Sequence, residues 1–152
     1  MNSNSLEIER RFLILRPPEP ELAARCSHVY HMEQTYLLSP PHQTERVRRR
    51  GGADGVVFFP TGKSARSALT RRDPMTETIR KTRYCLPEGP YTFEIDFYPF
   101  WPRCAVMEIE LPREDTPFRF PDGITVVREL TGDRRFSNAA LSRHIPAESE
   151  LI

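Results

Sequence analysis

Charged side chains recur at every second position in several stretches of this sequence. Successive side chains of a β-strand point to opposite faces, so residues two apart share a face. Neighbouring carboxylates on one face can share a divalent cation, and a row of arginine or lysine side chains can hold a polyanion. The acidic pairs are Glu7 with Glu9, Glu94 with Asp96, and Glu108 with Glu110; the basic rows are Arg46 with Arg48 and Arg50, and Lys81 with Arg83.

Each row alone also fits the solvent-exposed face of an amphipathic strand, and this alternative stays open for any single strand. Solvated sheet faces usually mix the two signs of charge, because like charges on adjacent strands repel each other by a few tenths of a kcal/mol. Here the signs are segregated along the chain. Residues 42–83 hold eleven bases and four acids, whereas residues 84–115 hold seven acids and two bases. The pattern favours strands that surround a charged ligand.

Short strands must position these side chains, since period-2 alternation or a β-rich composition marks eight segments. Gly51-Gly52-Ala53-Asp54 and Pro87-Glu88-Gly89-Pro90 are hairpin signals between strands. Helices are predicted at Glu19–Ala24 and at Ser137–His144, where Ser137 or Asn138 can cap. We expect a mainly β fold, an antiparallel sheet or barrel with short flanking helices, in a single domain spanning residues 1–152. The predicted strands are Leu6–Leu15, Tyr30–Leu38, Thr44–Arg50, Gly55–Lys63, Glu77–Cys85, Tyr91–Tyr98, Ala105–Leu111 and Ile124–Leu130.

Composition excludes several classes of protein. The chain has 152 residues, 22 Lys and Arg against 21 Asp and Glu, and a net charge of +1. This balance argues against a histone-like protein, and no apolar run approaches the roughly 18 residues of a membrane-spanning helix. Three widely spaced cysteines suggest neither a disulfide framework nor a zinc motif. We expect a soluble, cytoplasmic protein.

The order of the motifs closely resembles the CYTH superfamily, the triphosphate tunnel metalloenzymes. The sequence Glu7-Ile8-Glu9-Arg10-Arg11 is similar to the E-x-E-x-K opening of that family. The resemblance covers nearly the whole chain, and the joint order of the motifs is more specific than any one of them. The later motifs are Glu33-Gln34-Thr35-Tyr36-Leu37, Arg46-Val47-Arg48, Lys63, Ile79-Arg80-Lys81-Thr82-Arg83-Tyr84, Phe93-Glu94-Ile95-Asp96, Met107-Glu108-Ile109-Glu110-Leu111 and Leu130-Thr131-Gly132-Asp133-Arg134-Arg135-Phe136-Ser137-Asn138.

The resemblance implies an antiparallel β-tunnel with inward-pointing charges that hydrolyses triphosphates, or cyclises ATP, with Mg²⁺ or Mn²⁺. It implies that Arg11 belongs to the catalytic set and that Glu94 and Asp96 complete the acidic wall. The implied metal ligands are Glu7, Glu9, Glu108 and Glu110. The implied phosphate-binding residues are Arg46, Arg48, Lys63, Lys81 and Arg83.

Two departures from the family pattern bear on catalysis. Arg11 replaces the lysine of the opening motif. Its planar guanidinium does not lose its proton at neutral pH, so it cannot act as a general acid. The second departure is Ser64–Thr78, a short segment where the family has a strand with a further E-x-E pair. Its acids, Asp73 and Glu77, are four apart, and Pro74 disfavours a central strand. We therefore expect slow turnover, with Glu94 and Asp96 substituting for the missing pair.

Two classes of function stay open. One is a metal-dependent triphosphatase that binds a triphosphate-containing small molecule. The other is a non-catalytic polyphosphate- or nucleotide-binding module. An adenylate cyclase is a third hypothesis. A nucleic-acid partner is disfavoured because the acidic pairs repel a phosphate backbone. A membrane partner is not expected. A barrel missing a strand would have edges that invite pairing, which leaves a homodimer open.

Overall fold

The computed structural model describes residues 7–37, 45–52, 55–61 and 73–152, and these residues form a mainly β protein. Eight strands build one sheet in which every neighbouring pair is antiparallel. The strands are β1 (Ile8–Leu15), β2 (His28–Leu37), β3 (Glu45–Gly52), β4 (Gly55–Thr61), β5 (Ile79–Glu88), β6 (Tyr91–Phe97), β7 (Cys104–Leu111) and β8 (Val126–Glu129). Their order across the sheet is β4-β3-β2-β5-β6-β7-β1-β8.

The predicted strands are confirmed, and within the described residues their ends differ from the prediction by no more than three residues. Both predicted hairpins are present. β3 and β4 pair as far as Gly52 opposite Gly55, and β5 and β6 as far as Glu88 opposite Tyr91. Gly89 in the second turn has φ of 58°, a left-handed conformation that glycine adopts without a steric penalty. This turn lets β5 continue three residues beyond its predicted end at Cys85.

Two helices flank the sheet close to their predicted positions: α1 (Glu19–Arg25) and α2 (Asn138–Arg143). The Ser137 hydroxyl caps α2 by accepting a 3.1 Å hydrogen bond from the backbone N–H of Ala140. Short 3₁₀ turns cover Arg134–Phe136 and Glu148–Glu150. No helix among the described residues is long and apolar enough to cross a membrane.

The two faces of the sheet differ in composition. The outer face carries an apolar core that includes Phe12, Phe93 and Met107, and Leu22 of α1 packs into it. The opposite face, here called the inner face, is apolar at one end only. A cluster including Leu13, Val106, Tyr98, Trp101, Phe136 and Leu141 fills that end, here called the apolar plug. The remainder of the inner face holds the charged rows.

Tyr98 and Trp101 belong to the plug rather than to a binding surface. Both rings are fully buried, and the Trp101 indole N–H donates to the carbonyl of Pro146 at 2.9 Å. The Tyr98 hydroxyl donates to the side-chain oxygen of Asn138 at 2.9 Å. The aromatic corner therefore anchors α2 against the sheet and closes one end of the inner face.

Candidate functional site

The strand registers bring the predicted acidic rows together on the inner face. Glu9 of β1 lies opposite Glu110 of β7, and Arg11 lies opposite Glu108. On the other side of β7, Glu94 of β6 lies opposite Glu108. Three adjacent strands thus present one acidic wall, which confirms the side-chain alternation predicted from the sequence.

The predicted basic rows continue the same face. Arg83 of β5 lies opposite Asp96 of β6, and Arg48 of β3 lies opposite Gln34 of β2. Arg49 lies on the outer face, where its guanidinium is 3.7 Å from the carboxylate of Glu33. Positive and negative rows therefore meet across the inner face.

A cavity of about 230 Å³ opens between the two kinds of row. Arginines from two strands and the carboxylate of Glu94 reach it, so a ligand there contacts both signs of charge. The residues lining the cavity are Tyr30, Met32, Arg48, Arg50, Arg83, Cys85 and Glu94.

Asp96 forms the centre of a buried ion-pair network. Its carboxylate is 2.7 Å from Lys81 Nζ and accepts from Arg83 at 2.8 and 2.9 Å. Burial acts to raise the pKa of Asp96, but Lys81 and Arg83 outweigh it and hold that pKa below its usual range. Asp96 therefore stays ionised although it is 1% exposed, because both of its oxygens accept from these cations.

This network changes what the sequence suggested for its members. A carboxylate whose oxygens already accept from Lys81 and Arg83 has little capacity left to orient a water, so Asp96 is placed to position cations. Lys81 is 5% exposed and bound to Asp96, whereas Arg83 also pairs with Glu94 and still reaches the cavity. The geometry favours Arg83 over Lys81 as a contact for a ligand, and Glu94 over Asp96 as the group that meets water.

The outer end of the acidic wall holds carboxyl groups close together. A hydrogen bond with Glu7, together with burial and the charges of Glu7, Glu94 and Glu9, raises the pKa of Glu110 to about 7. Two carboxyl groups sharing a proton in this way indicate a local excess of negative charge that a cation would relieve.

Deeper in the wall, Glu108 forms an ion pair with Arg11. The Arg11 Nε lies 3.0 Å from the Glu108 carboxylate, and its Nη2 donates to the Phe136 carbonyl at 2.8 Å. Burial still raises the pKa of Glu108, since the charges of Asp96 and Glu9 add to it and Arg11 offsets them only in part. Arg11 therefore joins the acidic wall to the apolar plug.

The predicted convergence of four carboxylates is met only in part. Glu7 contacts Glu110, but Glu108 is drawn to Arg11, and no three potential ligands in the described part of the chain converge as a preformed metal site. The donor set nevertheless fits a hard divalent cation, because it offers several carboxylate oxygens from adjacent strands at a point of mutual repulsion.

Gln34 is a buried neighbour of the basic row to which the sequence assigned no role. Its amide is satisfied when the oxygen faces Arg48, accepting from Nε and Nη2 at 3.1 Å each, and the nitrogen donates to the Tyr36 hydroxyl at 3.1 Å. Burial and the nearby charges of Arg46 and Arg83 lower the pKa of Arg48. The motif around Gln34 was visible in the sequence, but its contact with Arg48 depends on the pairing of β2 with β3.

The remaining predicted residues lie elsewhere. Lys63 and residues 64–72 are outside the described residues. Asp73 accepts from the backbone N–H of Met75 at 2.9 Å and from Arg143 at 3.1 Å, and Glu77 is exposed beside α2. Neither acid lines the cavity, so neither supplies the missing E-x-E pair.

Comparison with known proteins gives one curated relative and a matching fold. The chain is 32% identical, over 159 aligned positions, to an inorganic triphosphatase of Nitrosomonas europaea, covering 92% of this chain and 99% of the relative. A crystal structure of the inorganic triphosphatase NE1496 matches with a TM-score of 0.57 and 23% identity over 93% of this chain and 97% of that one. A second crystal structure, of the hypothetical protein NE1496, matches with the same TM-score over 92% of this chain and 99% of that one. No family model matches the sequence.

Proposed function

Because this chain belongs to the CYTH superfamily of triphosphate tunnel metalloenzymes, we propose that it is a divalent-metal-dependent hydrolase of triphosphate compounds. The relative is an inorganic triphosphatase, which makes inorganic tripolyphosphate the first substrate to test. The observation that carries the proposal is the cavity where Arg48 and Arg83 face Glu94 next to the acidic wall.

Arginines of the cavity bind the phosphate chain. Each guanidinium offers parallel N–H donors that match two phosphoryl oxygens, and a charge-assisted hydrogen bond of this kind contributes about 1.5–3 kcal/mol. Arg48, Arg50 and Arg83 enter the cavity from two different strands. Arg46 extends the same row, and Lys63 remains a predicted contact.

The acidic wall holds the metal ion. Glu7, Glu9 and Glu110 supply carboxylate oxygens, with Glu108 joining them if it leaves Arg11. When bound, Mg²⁺ or Mn²⁺ neutralises negative charge that develops on the phosphoryl oxygens. Glu94 belongs to the same wall and lines the cavity, so the phosphate chain held by the arginines extends toward the metal ligands.

Glu94 orients the attacking water. It is half-buried, it lines the cavity, and its carboxylate is held by Arg83. Because both oxygens of Asp96 are bound by Lys81 and Arg83, Glu94 acts without the paired acid that the sequence suggested. Orientation of a nucleophile contributes several kcal/mol to a rate, so we expect tight binding combined with slow hydrolysis.

The test is phosphate release from tripolyphosphate, measured with Mg²⁺, with Mn²⁺ and with EDTA, beside binding of the same ligand. We expect metal-dependent release that Glu94→Gln abolishes while binding persists. Asp115→Asn, on the exposed segment after β7, is the matched control. Release that is independent of divalent ions, or that survives Glu94→Gln, would contradict the proposed mechanism.

A second candidate function is a polyanion-binding module without turnover. The observation that favours it is the engagement of Asp96 and Glu108 by cations of the protein itself. The same assay separates the two, because binding of tripolyphosphate without phosphate release at any metal concentration identifies the module.

A further inference from the structure

We propose that Gln34 is a positioning residue that orients the Arg48 guanidinium toward the cavity without itself supplying a counter-charge. This inference rests on the proposed function and adds to it a residue that determines the affinity for triphosphate. It concerns how β2 supports the basic row, not the contacts of the row with substrate.

The geometry fixes Arg48 from one side. Both acceptor directions of the Gln34 oxygen are used by Arg48 Nε and Nη2, and the amide nitrogen is held by the buried hydroxyl of Tyr36. Gln34 itself is 1% exposed, so its rotamer is set by packing. The Arg48 N–H groups that do not face Gln34 remain for the cavity, which Arg48 lines.

The chemistry of the partner distinguishes Arg48 from Arg83. Arg83 binds the carboxylates of Asp96 and Glu94, which offset its charge before any ligand arrives. The partner of Arg48 is a neutral amide, which accepts hydrogen bonds but supplies no negative charge. Gln34 therefore subtracts nothing from the attraction between Arg48 and an anion.

Two further inner-face residues of β2 contact arginines of β3. Tyr36 lies opposite Arg46 and hydrogen-bonds with it, and the Arg50 guanidinium lies 4.5 Å from the ring centre of Tyr30. A phenol, an amide and an aromatic ring are all uncharged partners. The inner face of β2 thus supports three arginines of β3 without supplying a carboxylate among these contacts.

The test compares two substitutions of Gln34. One keeps the hydrogen bonds to Arg48 but neutralises its charge, and the other does the reverse. Gln34→Glu retains a two-point hydrogen bond to Arg48 and cancels its charge. Gln34→Met keeps the side-chain volume and leaves the charge of Arg48 unchanged, but it removes the hydrogen bonds to Arg48. Thr35→Val is the matched control, because Thr35 is the next residue of β2, lies on the outer face and hydrogen-bonds Thr78 at 3.1 Å.

We expect the ranking of the variants by melting temperature to differ from their ranking by affinity for tripolyphosphate. Gln34→Glu should melt close to wild type yet weaken tripolyphosphate binding about 10- to 100-fold, the effect of one lost charge-assisted contact. Gln34→Met should melt lower yet weaken binding less than Gln34→Glu. In turnover assays both variants should raise KM with little change in kcat, and Thr35→Val should match wild type.

Two outcomes overturn the inference while the proposed function stands. One is a Gln34→Glu variant that binds tripolyphosphate as tightly as wild type, and the other is a Gln34→Met variant that loses stability alone. A wild-type protein that does not bind tripolyphosphate overturns the proposed function, and the inference with it. The wild-type and Arg48→Ala measurements distinguish that case from the first two.

Discussion

Arginine takes three different roles in this protein, and its surroundings decide which. Arg11 is ion-paired with Glu108, Arg83 is bound by two carboxylates, and Arg48 faces a neutral amide. The sequence pattern does not distinguish these side chains, since each belongs to a row of charged residues at every second position of a strand. Only the strand neighbours determine how much of each charge is left for a ligand.

Arg48→Ala should weaken triphosphate binding by about 1.5–3 kcal/mol, the value of a charge-assisted hydrogen bond to phosphate. Arg49→Ala is the control, because Arg49 points to the outer face beside Glu33. Isothermal titration with tripolyphosphate measures both. Equal losses for the two variants would mean that the register of β3 is wrong.

Glu110→Gln should stabilise the metal-free protein at alkaline pH. The pKa of Glu110 is raised to about 7 in the folded state, so the folded protein binds this proton more tightly than the unfolded chain does. Stability from this group is present below its ordinary pKa near 4.5 and is lost as pH rises through about 7. Glutamine removes that loss, and because Glu110 is exposed we expect a gain below about 1 kcal/mol.

Thermal melts of wild type and Glu110→Gln in EDTA, from about pH 5 to about pH 8, measure this difference. The curves should coincide at the acid end and separate at the alkaline end. Glu114→Gln, in the exposed segment after β7, should follow wild type throughout. A separation that grows toward acid pH would contradict the carboxyl contact.

At the scale of elements, β5 and β6 are joined by a charged contact in addition to their backbone ladder. Asp96→Asn leaves Lys81 and Arg83 buried without their counter-charge, and breaking a buried pair in this way costs about 3–5 kcal/mol. Urea denaturation measures the loss, with Asp115→Asn as an exposed ion-pair control. A loss below about 1 kcal/mol would show that water replaces the carboxylate.

The α2 helix depends on its cap because it has only six residues. Ser137→Ala removes the acceptor for the Ala140 N–H and should cost about 1 kcal/mol. Ser137→Asp keeps an acceptor at the same position and should restore most of the loss. Denaturation curves that do not distinguish alanine from aspartate at this position would contradict the cap.

The sequence predicted the elements well because alternation and turn residues are local signals. It predicted which side chains share a face within one strand, such as Arg48 with Arg46, since that follows from spacing alone. It did not predict that Asp96 would be enclosed by Lys81 and Arg83 or that Gln34 would hold Arg48. Those contacts depend on which strands become neighbours and in which register, and neither is encoded in the spacing along one strand.

At the scale of the whole molecule, the inner face divides into a basic side on β3 and β5, with the uncharged inner face of β2 between them, and an acidic side on β1, β6 and β7. Mg²⁺ or Mn²⁺ should raise the melting temperature of wild type by binding the folded state alone. The combined variant Glu9→Gln with Glu110→Gln should lose that response. A melting temperature that ignores both ions at millimolar concentration would contradict the metal site.

The pairing of β1 with β7 joins segments that are far apart in the sequence, since Ile8 lies opposite Leu111. During synthesis, β1 is made well before β7 and lacks this partner until β7 has been made. Contacts between such distant segments slow folding, because the loop between them must close before any pairing is gained. A nascent chain that stops before Cys104 already contains the basic row of β3, yet β1, which carries Glu9, has neither β7 nor β8 to pair with.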